Sequence, residues 1–353
     1  MATRNTTTMT NEEMTMLAQV LGIGIEGLDA AVKTAKKKTL KTQQEAGLSV
    51  SDIIQLNLDA NIASMKLSKR VFRGAEWDLD ETGFIRDLVN SYYTIQGNRI
   101  KVSNQKSALD RVSKSNAIMD YFTNQLKASE ENIQTFLDAW TDAHPIGVWL
   151  KAQYGIGPVI AAGIIAYFDV TKTKTAGGFW KYVGWDGESK PRKKGEKLSY
   201  NPKARVLVWK AGHSFRMGYK KESCFYGQLY AAKKAEYIER NESGGFAENA
   251  KTALASKKFD SSGPAFKTYS EGKLTDAHID AMALRFASKM FMSHVFDVMY
   301  MYEYGELPPV PYVKQHLGHV HIDHAQHLDV IKPYLEERWP DRDWNMLLVT
   351  YSR

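Results

Sequence analysis

The chain has 353 residues, of which 43% are hydrophobic and 11% aromatic, and this composition excludes a disordered protein. The length allows two or three domains with cores of their own. The single cysteine, Cys224, excludes a disulfide framework and a cysteine-rich zinc module. The longest apolar run, residues 159–168, is far shorter than the roughly 20 residues of a membrane span, so no membrane partner is expected.

The amino-terminal residues begin polar and include Glu12 and Glu13, unlike the basic and then apolar start of a signal peptide. A cytoplasmic protein is therefore expected. Lys and Arg number 47 against 40 for Asp and Glu, a net charge of +7. The excess is concentrated in residues 187–221, which hold eleven basic residues and two acidic ones. Such a tract favours a polyanionic partner, with a merely solvated surface as the alternative.

In chain order, the sequence predicts a helical amino-terminal domain over residues 1–143 with no recognisable chemical motif. Residues 144–241 form a second domain. Residues 242–274, rich in Gly, Ser and Lys, are predicted to be a loop or linker with room for one short helix. Residues 275–353 begin with a long, largely buried helix, capped by Thr275 and stopped at Gly305, and end in an irregular histidine-rich tail.

The most informative motif begins at residue 154 and reads Tyr-Gly-Ile-Gly-Pro-Val. An apolar helical pattern precedes it, and Pro158 suits the first turn of a helix that follows. The pattern predicts a helix-hairpin-helix whose glycines, Gly155 and Gly157, let the backbone approach a DNA phosphate closely. An ordinary helical turn would use the same glycines and is the alternative.

A short aromatic helix is predicted over residues 176–184, then a basic loop, then a helix that begins near Asn201 and Pro202. Phosphate contacts are expected from the loop and from the start of this helix: Lys190, Arg192, Lys193, Lys194, Lys203 and Arg205. The aromatic residues either stack on unpaired bases or belong to the core. For Trp180 and Trp209 a core position is favoured.

Together these segments resemble the carboxy-terminal domain of insertion-sequence transposases of the 110/116/902 group. The shared order is Gly-Ile-Gly-Pro-Val with Ala161 and Ala162, then Phe-Trp-Lys-Tyr-Val-Gly, a basic loop and a basic helix, over residues 154–237. The histidine-rich stretch from Pro311 to His321 also resembles a tail of transposase-like proteins from phages and mobile elements. The resemblance implies a DNA-binding protein from such an element.

In that family the domain supplies a serine nucleophile for strand exchange, and the best matching position is Ser189, followed by Ser199. The family usually has a Ser-Gly pair, whereas Lys190 follows Ser189 here. The family's RuvC-like amino-terminal domain, with its quartet of metal-binding carboxylates, has no counterpart in residues 1–140. No divalent metal or other cofactor is therefore carried over.

Five of the nine histidines lie in residues 315–327, and His316, His319 and His321 are spaced so that they could surround a transition metal. A surface tail or hydrogen-bonded histidines explain the pattern equally well, and no metal site is predicted. His278 and His294 are expected to pack within helices. Asp169 is expected to cap a helix rather than to act as an acid.

The sequence thus predicts a mainly α, multi-helix protein with a helix-hairpin-helix DNA-binding domain, and duplex or branched DNA as its partner, with RNA as an alternative. Two other functions remain open. One is a serine-dependent recombinase, and hence an enzyme of DNA strand transfer, that needs a partner to supply the carboxylates. The other is a structural or assembly protein whose basic loop binds an acidic protein.

Overall fold

The structure is a computed structural model that describes residues 59, 61–112, 117–187, 195–256, 259–310 and 324–352. This part of the chain is mainly α-helical and contains no strand. Short 3-10 helices lie at Lys69–Phe72 and Val170–Lys172. The α-helices are α1 (Thr82–Asp110), α2 (Ala117–Ala143), α3 (Pro145–Ala152), α4 (Pro158–Tyr167), α5 (Ala176–Tyr182), α6 (Pro202–Gly218), α7 (Phe225–Glu242), α8 (Ala247–Ser256), α9 (Pro264–Ser270), α10 (Asp276–Tyr304), α11 (Leu328–Arg338) and α12 (Trp344–Tyr351).

The chain divides into two compact units, and the division falls inside α1 and α2. One unit contains residues 99–128 and the described residues up to Lys66. The other contains residues 67–98 and the described residues from Ser129 onward, and it includes every candidate site residue that the structure describes. The domain boundaries predicted at residues 143, 241 and 274 all lie within this second unit.

Local capping signals place several helix ends where the sequence predicted them. The Thr275 side chain accepts a hydrogen bond from the His278 backbone N–H, and α10 ends at Gly305 with a left-handed φ of 67°. Asn201 accepts hydrogen bonds from the first amides of α6, and Pro202 occupies the first helical position. Asp169 accepts from the Thr171 N–H and so caps a 3-10 helix, as expected.

Two segments contain more helix than their composition suggested. Residues 242–274, predicted to be a linker with at most one short helix, contain both α8 and α9. Their apolar side chains form a small core with Phe246, Tyr269 and Leu274 buried. The tail, predicted to be irregular, contains α11 and α12, whose Ile331 and Trp344 are buried. In both segments buried apolar residues outweigh the Gly, Ser and Pro that suggested loops.

Small residues allow three central helices of the second unit to approach closely. Gly163 of α4 lies against α6, where an added Cβ would stand 2.7 Å from Leu207 Cδ2. On α6, a Cβ added to Gly212 would lie 2.1 Å from Ser288 Oγ of α10. Gly163 belongs to the second helix of the hairpin, and the neighbour that an added Cβ would meet belongs to α6. The shared core of α4, α6 and α10 therefore depends on glycine at these contacts.

The carboxy-terminal helix α12 is held to α10 by a partly buried polar contact. Tyr351 donates a hydrogen bond of 2.7 Å from its hydroxyl to Asp297 Oδ2, and it accepts another from the Ala325 backbone N–H at 3.2 Å. Burial raises the pKa of Asp297 to about 7, although the hydrogen bond from Tyr351 acts in the opposite direction. The Asp297 carboxyl group therefore keeps its proton to a higher pH than an exposed aspartate does.

Gly147→Ala is expected to destabilise the protein by about 1–3 kcal/mol, because the new Cβ would lie 2.4 Å from the Thr141 backbone oxygen and the backbone cannot rotate away. The control is Gly97→Ala in α1, where nothing lies within 4 Å of the added Cβ. This control is expected to gain up to about 1 kcal/mol from helix propensity. Chemical denaturation of both variants measures the difference, and an unchanged free energy of unfolding for Gly147→Ala would contradict the close contact of α2 and α3.

Asp297→Asn is expected to remove a pH dependence of stability. The unfolded chain releases the Asp297 proton near a pKa of about 3.9, whereas the folded protein keeps it until pH rises past about 7. The wild-type free energy of unfolding should therefore fall by roughly 1 kcal/mol per pH unit across this window.

Asn keeps an oxygen that accepts from Tyr351 but carries no proton to lose, so the variant should be the more stable protein at pH 8. Denaturation between pH 5 and pH 8 tests this. Parallel stability curves for the two proteins would show that Asp297 is ionised in the folded state throughout.

Candidate nucleic-acid interface

The predicted Gly-x-Gly turn joins α3 to α4 in the structure. Gly155 has a φ of +80°, which glycine adopts far more readily than other residues. Gly157 is the N-cap of α4 and has no side chain to cap the helix, while Pro158 occupies the first helical position. Both glycines are exposed. Burial of Gly155 and Gly157 under other helices would have excluded a contact between this turn and DNA. Because both glycines are exposed, the helix-hairpin-helix hypothesis is not excluded.

The two glycines have different surroundings. A Cβ on Gly155 would lie 2.9 Å from the Ser214 Cβ of α6, so this side of the turn packs against that helix. At Gly157 nothing lies within 4 Å of an added Cβ. The first N–H groups of a helix have no partner within the helix, and here Gly157 leaves the approach to them open. The geometry suits contact with a phosphate oxygen.

A surface cavity of about 400 Å³ lies beside the turn. Gly157 and Pro158 form part of its wall, and α1 and α6 supply most of the side chains. Trp209 of α6 lines this cavity and is 47% exposed, so the prediction of a core position is wrong. Its neighbours Leu207 and Val208 take the buried face of α6 instead, which leaves the indole of Trp209 on the cavity side.

Cationic and aromatic groups are in contact along this wall. The ammonium of Lys210 lies 4.4 Å from the ring centre of Tyr93, a cation–π arrangement. His213 meets Trp209 edge to face, with ring centres 4.8 Å apart and planes at 89°. The Arg216 guanidinium lies 3.0 Å from His213 Nε2 and is itself paired with Asp280. The cavity therefore has one positively charged side chain and several oriented rings.

A second cationic group lies where α6 packs against α10. It consists of Arg205 on α6 with Arg285 and Lys289 on α10, and it is called the cation cluster here. Lys289 Nζ lies 4.0 Å from the ring centre of Trp180, which is half-buried against the core and donates from Nε1 to the Lys289 carbonyl. The Arg205 guanidinium lies 4.8 Å from the Tyr200 ring centre.

The charges of the cation cluster repel one another. Burial lowers the pKa of Arg285, and the nearby charge of Arg205 lowers it further. Burial and then the charge of Arg285 lower the pKa of Lys289, while Asp186 acts in the opposite direction. Positive groups gathered on one part of the surface attract an anion.

Several predicted residues lie outside the described part of the chain. Ser189, Lys190, Arg192, Lys193 and Lys194 belong to residues 188–194, and His316, His319 and His321 belong to residues 311–323. Their proposed roles remain predictions. Lys203 is exposed on the first turn of α6, and Ser199 is exposed just before that helix.

The described histidines make contacts within the protein. His294 is buried and its Nδ1 lies 2.9 Å from the Tyr226 hydroxyl, and His278 Nδ1 lies 3.2 Å from the Tyr269 hydroxyl. Both positions agree with the expected packing role. Among the residues that the structure covers, no three His, Cys, Asp or Glu side chains are grouped so as to hold a metal ion.

A larger cavity of about 710 Å³ lies among α3, α4, α5 and α10, and most of its charged groups have partners within the protein. Arg86 donates to the Ala166 carbonyl at 2.9 Å, Lys172 pairs with Asp169, and Arg338 pairs with Glu303. Burial lowers the pKa of His144 at its wall to about 4, so this imidazole is neutral at pH 7. The charges at this cavity are therefore largely balanced by contacts within the protein.

Comparisons with models of known protein families, with curated proteins and with solved structures found no match to this chain. The resemblance to transposases therefore rests on the residue pattern alone. Across the ranges that the structure describes, no helix combines the length and the apolar character of a membrane span.

Arg285 and Lys289 were not among the predicted contact residues. They lie four residues apart on a helix that the sequence marked as buried, and that spacing places both side chains on one face. Two cations one turn apart, set among the apolar residues of this helix, are the signal that would have revealed them.

Proposed function

We propose that this protein binds DNA through phosphate contacts, as the DNA-gripping part of a transposase-like protein from a phage or mobile element. The observation that carries the proposal is the cation cluster, in which Arg285 and Lys289 lie one turn apart on α10 and Arg205 lies on α6, the helix that packs against α10. The exposed Gly155–Gly157 turn, in the same unit, offers a second place for a phosphate. The basic loop of residues 188–194, with its predicted contacts, ends eleven residues before Arg205 in the sequence.

Helix α6 connects the two places. Arg205, Trp209 and His213 follow one another at intervals of four residues, so they share one face of the helix. This face runs from the cation cluster to the cavity beside the turn. A nucleic-acid backbone carries a phosphate at every nucleotide and can engage cations and helix amides in succession. Such contacts read backbone shape rather than base sequence, so binding is expected to tolerate many sequences.

Gly157→Asp is expected to weaken DNA binding by about tenfold or more without loss of stability. Aspartate is a favourable N-cap residue, and the open space at Gly157 accommodates its side chain. Its carboxylate would occupy the amides of α4 and repel a phosphate. Gly157→Asn is the matched control, because it caps the helix in the same way without a charge. If the wild-type protein and Gly157→Asp bound DNA with equal affinity, the turn would not be part of the DNA interface.

The triple variant Arg205→Gln, Arg285→Gln, Lys289→Gln is expected to bind DNA with a flatter salt dependence. Each lost phosphate contact reduces the slope of log affinity against log salt by about 0.9, so the slope should fall by up to about 3. Titrations of duplex, branched and single-stranded DNA at several salt concentrations measure it.

The control Lys251→Gln, Lys267→Gln, Lys273→Gln removes the same charge from α8, α9 and the loop after them. If the slope of log affinity against log salt fell equally in both triple variants, the change would reflect net charge alone. The cation cluster would then have no special role in binding. No binding of the wild-type protein to any DNA at moderate salt would overturn the proposed function.

A further inference from the structure

We propose that the cavity beside the Gly155–Gly157 turn receives an unpaired DNA base, which stacks on Trp209. The inference rests on the proposed function, since it names the form of DNA that the same interface prefers. It starts from an indole that the fold leaves 47% exposed at a cavity, although a tryptophan buries most of its surface in an ordinary core position.

The Trp209 ring is held in place by a contact with His213. His213 meets it at 89°, and the Arg216 guanidinium beside His213 is fixed in turn by Asp280. Asp280 of α10 also pairs with Lys234 of α7. The orientation of His213 is therefore fixed jointly by three helices, α6, α7 and α10. A pre-oriented aromatic face loses little conformational entropy when a flat partner stacks on it.

The other residues of the cavity suit a nucleobase. Its volume of about 400 Å³ lies in the range of small-molecule sites. Tyr92 and Tyr93 add aromatic surface, and the side-chain amides of Gln96 and Gln134 can donate to and accept from a base edge. None of the residues that line the cavity is acidic. A peptide with basic side chains would find no counter-charge here, whereas a nucleotide finds the ammonium of Lys210.

The cavity lies next to the turn, so one nucleotide can place its phosphate at the turn and its base in the cavity. Gly157 and Pro158 belong both to the turn and to the cavity wall. A phosphate at the start of α4 would therefore have its neighbouring base within reach of Trp209. In a duplex the bases stack on one another and their faces are covered, so this site is available to single strands, junctions or extruded bases. The interface should accordingly favour DNA with unpaired bases.

The test compares two strands with identical phosphates. The full-length protein is titrated with a thymidine oligonucleotide of about 16 nucleotides and with an abasic strand of the same length, which keeps the sugars and phosphates but lacks every base. The wild-type protein is expected to bind the thymidine strand about tenfold more tightly. Trp209→Ala should reduce this ratio to nearly one.

Two further variants separate stacking from a general loss of structure. Trp209→Phe keeps an aromatic face, so it should keep most of the wild-type preference for the thymidine strand over the abasic strand. Met217→Ala is the matched control, because Met217 is 76% exposed on the same helix and lies outside the cavity lining. It should behave as the wild-type protein does.

The outcomes distinguish the two proposals. A wild-type ratio near one, or a ratio that Trp209→Ala does not change, would overturn base stacking while DNA binding itself could stand. Failure of the wild-type protein to bind the thymidine strand, the abasic strand and the duplex alike would overturn the proposed function. A base-dependent ratio that is lost in Trp209→Ala and kept in Met217→Ala supports the inference.

Discussion

The close contact between α4 and α6 at Gly163 determines the geometry of the whole candidate interface. Helix α4 carries the Gly155–Gly157 turn at its start, and α6 carries Trp209 on the surface beside it. Because Gly163 has no side chain, the Leu207 methyl groups occupy the space of a Cβ, and the helices approach to that distance. A larger residue there would push α6 outward and widen the cavity between the turn and Trp209.

A second close contact, at Gly212, lies on the opposite face of α6. Gly212 allows Ser288 of α10 to approach, and this contact brings α6 close to the helix that carries Arg285 and Lys289. The cation cluster is therefore a consequence of helix packing, because the apolar burial between α6 and α10 offsets the repulsion of the charges. Helix α6 is in this way buried on two sides, and the side chains that remain exposed are those available to a partner.

Features set by a few neighbouring residues could be predicted from the sequence, and features set by helix packing could not. The caps at Thr275 and Asn201, the stop at Gly305 and the hairpin turn are local, since one side chain or one glycine decides each. The exposure of Trp209 depends on which face of α6 meets α10, and no local signal reports that face. The same holds for the proximity of Arg205 to Arg285, which lie far apart in sequence.

Charge and stacking make separable contributions to the proposed interface. Phosphate contacts release counterions, so their contribution declines steeply as salt rises and is the same for every base. Stacking on Trp209 depends on the presence of a base and is far less sensitive to salt. If the cation cluster acted alone, the protein would bind any DNA backbone without selectivity. Because the exposed indole stands beside the turn, the same backbone contacts become selective for DNA whose bases are free, a selectivity that should persist at salt concentrations where the electrostatic attraction is weak.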